Sequence, residues 1–126
     1  MKRFTFKKEF ELDERDIIDL IDCAVEGGIG YWCCLHNDTP EWNKVREEYP
    51  DDCIDERLYR VLDKGYDVIL IDVEEDTEYK LTMASLLDGI QKAIELGYWD
   101  GDMDMADAET GDTIFQCALF GDLIYG

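Results

Sequence analysis

Positive charge is scarce in this chain. Its 126 residues hold 12 Lys plus Arg against 32 Asp plus Glu, a formal net charge of −20. No Lys or Arg occurs from Ala93 to Gly126. A field of that sign repels phosphate, which argues against direct nucleic-acid binding and against anionic membrane surfaces. Long apolar runs are also missing. No stretch approaches the ~18 consecutive apolar residues of a membrane-spanning helix. The opening Met1-Lys2-Arg3-Phe4-Thr5-Phe6-Lys7-Lys8 turns charged before a secretory apolar region develops, so the expected location is the cytoplasm.

The residues of common catalytic sites are few. His36 is the only histidine and Ser85 the only serine. Ser85 falls inside an expected helix, and neither a G-x-S-x-G turn nor a phosphate-binding glycine loop occurs. Cys33, Cys34 and His36 stand close together, but zinc takes four ligands from well-spaced pairs. There is no C-x-x-C, and Cys53 would have to complete the set. The five cysteines, Cys23, Cys33, Cys34, Cys53 and Cys117, read as reduced thiols, mostly small apolar filler, with a buried Cys33–Cys34 beside an exposed His36. The acidic run Asp100, Asp102, Asp104, Asp107 and Glu109 suggests calcium. Counted from Asp100, however, its sixth position is Met105 and its twelfth Gly111, where an EF-hand loop needs glycine and glutamate. With so many carboxylates, a close pair arises by chance and identifies no acid–base chemistry. These features predict no catalysis, no cofactor and no metal.

What the chain does contain fits one domain over residues 1–126. Hydrophobic residues make up 46 %, enough to fill a core. Residues 3–12 alternate apolar and polar and predict a strand. Asp13 predicts an N-cap for a helix carrying Ile17, Leu20, Ile21 and Ala24, which ends at Gly27-Gly28. Residues 29–35 fit a buried strand or an extended segment, with Tyr31 and Trp32 anchoring the core. A loop over 36–40 and a short helix over 41–49 follow. Residues 53–62 fit a helix better than a strand. Residues 66–73, with the run Val68-Ile69-Leu70-Ile71, predict a central strand covered on both faces. Glu74-Glu75-Asp76 predicts a turn, with 78–81 returning as a hairpin partner. Thr82 predicts the cap of a helix that Gly97 ends. A last helix over 105–119 precedes a short edge strand at Leu123-Ile124-Tyr125. The expected class is α+β, a small antiparallel sheet covered by two or three helices.

The placement of charge carries the functional reading. Asp72, Glu74, Glu75, Asp76 and Glu78 form one acidic segment, and Asp100, Asp102, Asp104, Asp107 and Glu109 another. Basic residues cluster instead at 2–8 and 44–60. Unneutralised carboxylates repel one another and cost stability. A one-signed surface therefore points to a basic partner, with the carboxylates standing in for backbone phosphates as a DNA mimic would. Simple solubility accounts for the same charge more plainly.

Three segments carry a resemblance: Glu26-Gly27-Gly28-Ile29-Gly30-Tyr31-Trp32-Cys33, Tyr79-Lys80-Leu81-Thr82 leading into Leu86-Leu87-Asp88-Gly89-Ile90, and Ile114-Phe115-Gln116-Cys117-Ala118-Leu119-Phe120-Gly121 with the Asp122–Gly126 tail. Together they resemble a family of small acidic proteins carried by phages, prophages and mobile elements of Gram-positive gut bacteria; residues 36–65 match nothing in it. The resemblance implies an anti-CRISPR-like or antirestriction inhibitor. Its partner would be a basic nucleic-acid-binding host protein, a CRISPR effector or a restriction enzyme. A phage structural or regulatory interaction protein is the alternative. So is a sponge for a nucleotide signal, whose phosphates would need Arg46, Arg57 or Arg60 in a pocket.

Overall fold

The computed structural model describes residues 1–6 and 10–126. Its elements run β1 (Arg3–Phe6), β2 (Phe10–Asp13), α1 (Glu14–Val25), β3 (Cys33–His36), α2 (Pro40–Glu48), α3 (Ile54–Asp63), β4 (Val68–Asp72), β5 (Glu78–Leu81), α4 (Met83–Glu95), a 3-10 turn (Met103–Met105) and α5 (Ala108–Phe120). The class is α+β. Two antiparallel sheets occur rather than one: β1 pairs with β2, and β3, β4 and β5 form a second sheet with β4 in the middle.

Residues 3–12 were expected as one strand. They hold two, paired with Phe4 opposite Leu12 and Phe6 opposite Phe10; residues 7–9 of that expectation lie outside the described residues. Alternation of side chains survives a reversal of direction, so the period alone does not show where a strand turns back. β4 is central, as expected, but it is not covered equally on both faces. Val68, Leu70 and Asp72 are buried while Ile69 and Ile71 are half-buried. The return at residues 74–76 is present. Asp76 takes a left-handed conformation there (φ 56°), which Asp tolerates better than most residues.

Helix starts follow local chemistry. Asp13 accepts the Asp16 amide while Asp16 accepts that of Asp13, a reciprocal capping box. Thr82 with Ser85 and Asp107 with Thr110 repeat the arrangement. Thr39 caps α2, with Pro40 in the first turn, where its missing N–H is harmless.

α5 is the centre of the molecule. It packs on α4 and on α1, and every residue from Thr110 to Cys117 is buried. Glycines permit this. A Cβ on Gly89 of α4 would lie 2.6 Å from the Ile114 carbonyl oxygen, and one on Gly111 would lie 2.3 Å from the Ala24 backbone nitrogen. Ile17, Leu20, Ile21 and Ala24 of α1 complete the interface, together with Leu86, Ile90 and Ile94 of α4 and Ile114 and Phe115 of α5. The helix begins at 108 rather than 105 because Asp107 caps it, and Gly121 ends it in the left-handed conformation (φ 80°).

Two forces oppose each other at Gly111. Replacing glycine by alanine in an open helix gains about 1 kcal/mol. Here the added methyl meets the backbone of α1, and overpacking of that kind costs about 1–3 kcal/mol or more. Because the obstacle is main chain, the clash wins. Gly111→Ala is expected to lower the urea unfolding midpoint, and an equal or higher midpoint would contradict this packing.

Candidate functional site

Buried polar groups on α5 organise the surface above it. Gln116 is fully buried (0 %) and Asp112 is 9 % exposed; four residues apart, they share one helix face. Asp112 Oδ2 accepts from the Tyr31 hydroxyl at 2.6 Å. Its Oδ1 accepts from Trp32 Nε1 at 2.7 Å and Gln116 Nε2 at 2.9 Å. Gln116 Nε2 also reaches the Tyr31 oxygen at 3.2 Å. Gln116 Oε1 accepts the backbone N–H groups of Ile124 and Tyr125, each at 2.9 Å. One amide thus ties helix, loop and C-terminal tail together.

The tail was expected as an edge strand. It is not one: its amides are satisfied by the Gln116 side chain rather than by a neighbouring strand. Tyr125 stacks on Trp32 with ring centroids 5.0 Å apart and planes 11° from parallel. Phe120 and Tyr79 close the cluster edge-on. The Tyr125 hydroxyl donates to Asp72 Oδ2 at 2.7 Å. Asp72 Oδ1 accepts the amides of Glu74 and Glu75 at 2.8 and 2.9 Å. Those bonds, the Glu75 amide foremost, hold the Asp72 carboxyl below the usual carboxylate range. The Tyr125 phenol is correspondingly raised, chiefly by its bond to Asp72. Burial of the Tyr31 hydroxyl, then its bond to Asp112, pushes that phenol up to about 12.

Between these groups lies a cleft of about 650 Å³, walled by Tyr31, Trp32 and Tyr125 and ringed by Asp72, Glu74, Glu109 and Asp112. A second, shallower depression of about 450 Å³ adjoins it and shares Glu109, Thr113 and Leu123. Tyr98, Asp100 and Met105 lie on its far side. Members of both acidic segments, Asp72 and Glu74 of one and Asp100, Asp107 and Glu109 of the other, therefore border the two adjoining depressions.

Their members differ in role. Asp72 is 5 % exposed, the cap of a turn rather than a surface charge. Glu74, Glu75, Asp76, Glu78, Asp100, Asp102, Asp104, Asp107 and Glu109 are exposed. Asp100 accepts the Asp102 amide, Asp102 that of Asp104, and Asp107 that of Thr110. Part of the acidic loop thus serves local turns. None of these nine has a cation within ion-pair distance among the described residues. The ion pairs found there join residues 2–64, including Lys2–Asp63, Arg15–Asp19, Arg60–Asp52 and Lys64–Glu48.

Tyr31 was expected in the core with Trp32. Its neighbour is buried, but Tyr31 is 53 % exposed, a cleft wall with only its hydroxyl engaged inward. The expected buried Cys33–Cys34 pair is split by the alternation of β3: Cys33 is buried, Cys34 exposed and His36 half-buried. Cys53 is also exposed, at the cap of α3. Among the described residues, the one set of three potential ligands within reach of a common ion is Cys53, Asp55 and Glu56, not the Cys33–His36 group. Arg15 and Arg60 border a small cleft of about 240 Å³ together with Glu14, Glu56 and Asp63. Both guanidiniums are paired with carboxylates outside that lining, Arg15 with Asp19 and Arg60 with Asp52. Arg46 donates to Asn43, and Arg57 to the Asp52 carbonyl.

Comparison with family models, with curated proteins and with solved structures gives no match. Among the described residues no helix is long and apolar enough to cross a membrane. The fold and the cleft define the chain as an α+β protein with an acidic, aromatic surface site.

Two measurements test this geometry. The folded-state pKa of Asp72 is depressed. The stability it contributes is therefore present above its unfolded value and lost as pH falls through the folded one. Removing the donor in Tyr125→Phe should move the Asp72 carboxyl titration, followed by NMR, upward and make acid unfolding begin at higher pH; no movement would refute the link. Burial pushes the thiols of Cys33 and Cys117 up, to about 12 and about 11. A bulky thiol reagent should reach the exposed Cys34 and Cys53 first. Rapid modification of Cys33 or Cys117 in the folded protein would contradict the burial described.

Proposed function

We propose that this chain is a non-catalytic binding protein that docks its acidic face on a basic, nucleic-acid-binding protein. In the setting its sequence resemblance suggests, it is a phage-borne inhibitor of a host defence nuclease, a CRISPR effector or restriction enzyme, acting in the bacterial cytoplasm. The observation that carries the reading is the coincidence of two surface features. Exposed Tyr31, Val73 and Leu123 line the cleft, while Tyr98 and Met105, the latter 70 % exposed, lie beside the adjoining depression. The carboxylates bordering both have no cation within ion-pair distance among the described residues. Aromatic and methionine side chains within a polar rim are the composition of protein–protein interfaces. Solubility alone explains the charge but not the exposed apolar side chains set within it.

The energetics favour a basic partner. Uncompensated carboxylates repel one another in the free protein. A cationic surface relieves that repulsion and speeds encounter by steering. If that surface is a nucleic-acid channel, the carboxylates take the place of phosphates and release the same counterions. Phosphate-bearing ligands are less favoured: Arg15 and Arg60 are held by Asp19 and Asp52, and Arg46 and Arg57, bonded to neutral oxygens, line none of the three clefts described.

The test is capture from a lysate of a Gram-positive gut bacterium, with elution by a salt gradient and by duplex DNA. A basic nuclease or DNA-binding protein should elute as salt rises and should be displaced by DNA. The combined variant Glu74→Gln, Glu75→Gln, Asp104→Asn, Glu109→Gln should weaken the purified pair by roughly tenfold or more. Retention of no basic protein, or a complex indifferent to salt, DNA and these substitutions, would overturn the proposal.

A further inference from the structure

We infer that the cleft between Tyr31 and Tyr125 receives an arginine side chain of the basic partner. This assignment rests on the binding reading above and names its central contact.

The polar atoms set around the cleft are mostly acceptors. Glu74 and Glu109 stand exposed at its rim. Asp72 and Asp112 lie deeper, their charge met only by neutral donors: phenol, indole, carboxamide and backbone N–H. The two phenol hydroxyls give their protons to those carboxylates and so have none to offer an entering acceptor. No lining residue is Lys or Arg. A ligand here must bring positive charge and several donors.

The walls select among cations. Tyr31 and Tyr125 offer aromatic surface, with buried Trp32 stacked behind Tyr125. A guanidinium is planar, weakly hydrated, stacks on such rings and carries five donors, whereas an ammonium is a compact, strongly hydrated point charge. A hard divalent ion needs several ligand atoms drawn together, and the one such set of three among the described residues is Cys53, Asp55 and Glu56, outside this cleft. The volume, about 650 Å³, exceeds what one side chain fills, so flanking backbone of the partner also enters. Exposed Val73 and Leu123 at the edge give that backbone's neighbours an apolar seat.

The test uses the folded chain and defined cationic probes, hexa-arginine, hexa-lysine and spermidine, in calorimetric titrations. Hexa-arginine should bind at least roughly fivefold more tightly than hexa-lysine and more tightly still than spermidine. Of the three indole N–H signals, that of Trp32 should move on titration and that of Trp42 should not. Glu74→Gln with Glu109→Gln should weaken hexa-arginine roughly tenfold. Glu41→Gln with Glu47→Gln, an equal change of charge on α2, should change it less than about twofold. Tyr31→Ala removes one donor to Asp112 but leaves those from Trp32 and Gln116; with circular dichroism confirming the fold, it should abolish the preference for arginine over lysine. Equal affinity for the three probes, an unmoved Trp32 signal, or equal effects of the two charge pairs would overturn the inference. Its failure is separable from that of the broader reading. A partner captured equally well by Tyr31→Ala leaves the acidic face standing and removes the cleft. Selective hexa-arginine binding with no basic protein captured leaves the cleft and removes the partner.

Discussion

The fold depends on a helix that has no exposed side over two of its turns. From Thr110 to Cys117, α5 touches α1, α4 or the tail in every direction. A helix buried all round is ordinarily apolar all round. This one carries Thr110, Asp112, Thr113 and Gln116. An unpaired buried amide or carboxylate costs several kcal/mol, so their partners are obligatory. The partners are Tyr31 and Trp32 from one loop and Ile124 and Tyr125 from the tail. Satisfying α5 therefore dictates where both segments lie.

The cleft is a consequence of that requirement. Asp112 draws the Tyr31 hydroxyl inward and leaves the ring standing at the surface. Gln116 draws the tail across, and Tyr125 then stacks on Trp32 and caps Asp72. Asp72 in turn orders the 73–77 return that carries Glu74, Glu75 and Asp76. A chain of satisfied polar groups thus runs from the centre of the molecule to the acidic rim. A preorganised rim loses less entropy on docking than a mobile one.

Much of this architecture is written locally in the sequence. Asp13, Thr39, Thr82 and Asp107 cap helices because an oxygen-bearing side chain at that position needs only its own next turn. Val68-Ile69-Leu70-Ile71 identifies a central strand by composition. The features that escape the sequence depend on distant partners. The reversal inside residues 3–12 leaves the alternation intact. Leu123-Ile124-Tyr125 has strand composition, yet its amides meet a glutamine on α5. Tyr31 reads as core, because nothing beside it reveals that its hydroxyl belongs to Asp112, 81 positions away. Asp72 reads as one carboxylate among many. The available signal was Asp112 and Gln116, an i,i+4 polar pair on an otherwise apolar helix face. Such a pair demands buried partners and directs attention to the tyrosines and tryptophan elsewhere in the chain.

Charge segregation follows from the same arrangement. Residues 2–64 hold most of the cations and the ion pairs found among the described residues, so part of the negative charge there is offset by its own contacts. The carboxylates of residues 72–78 and 100–109 have no ion-pair partner among the described residues. A few lysines at exposed positions such as Glu74, Glu75 or Asp104 would relieve the repulsion without disturbing α5, Asp72 or the tail. Folding thus requires the acids that cap and bridge, Asp72, Asp107 and Asp112, but makes no use of Glu74, Glu75, Asp76 or Asp104 as charges. The stability forgone at those positions is available to whatever cationic surface meets them.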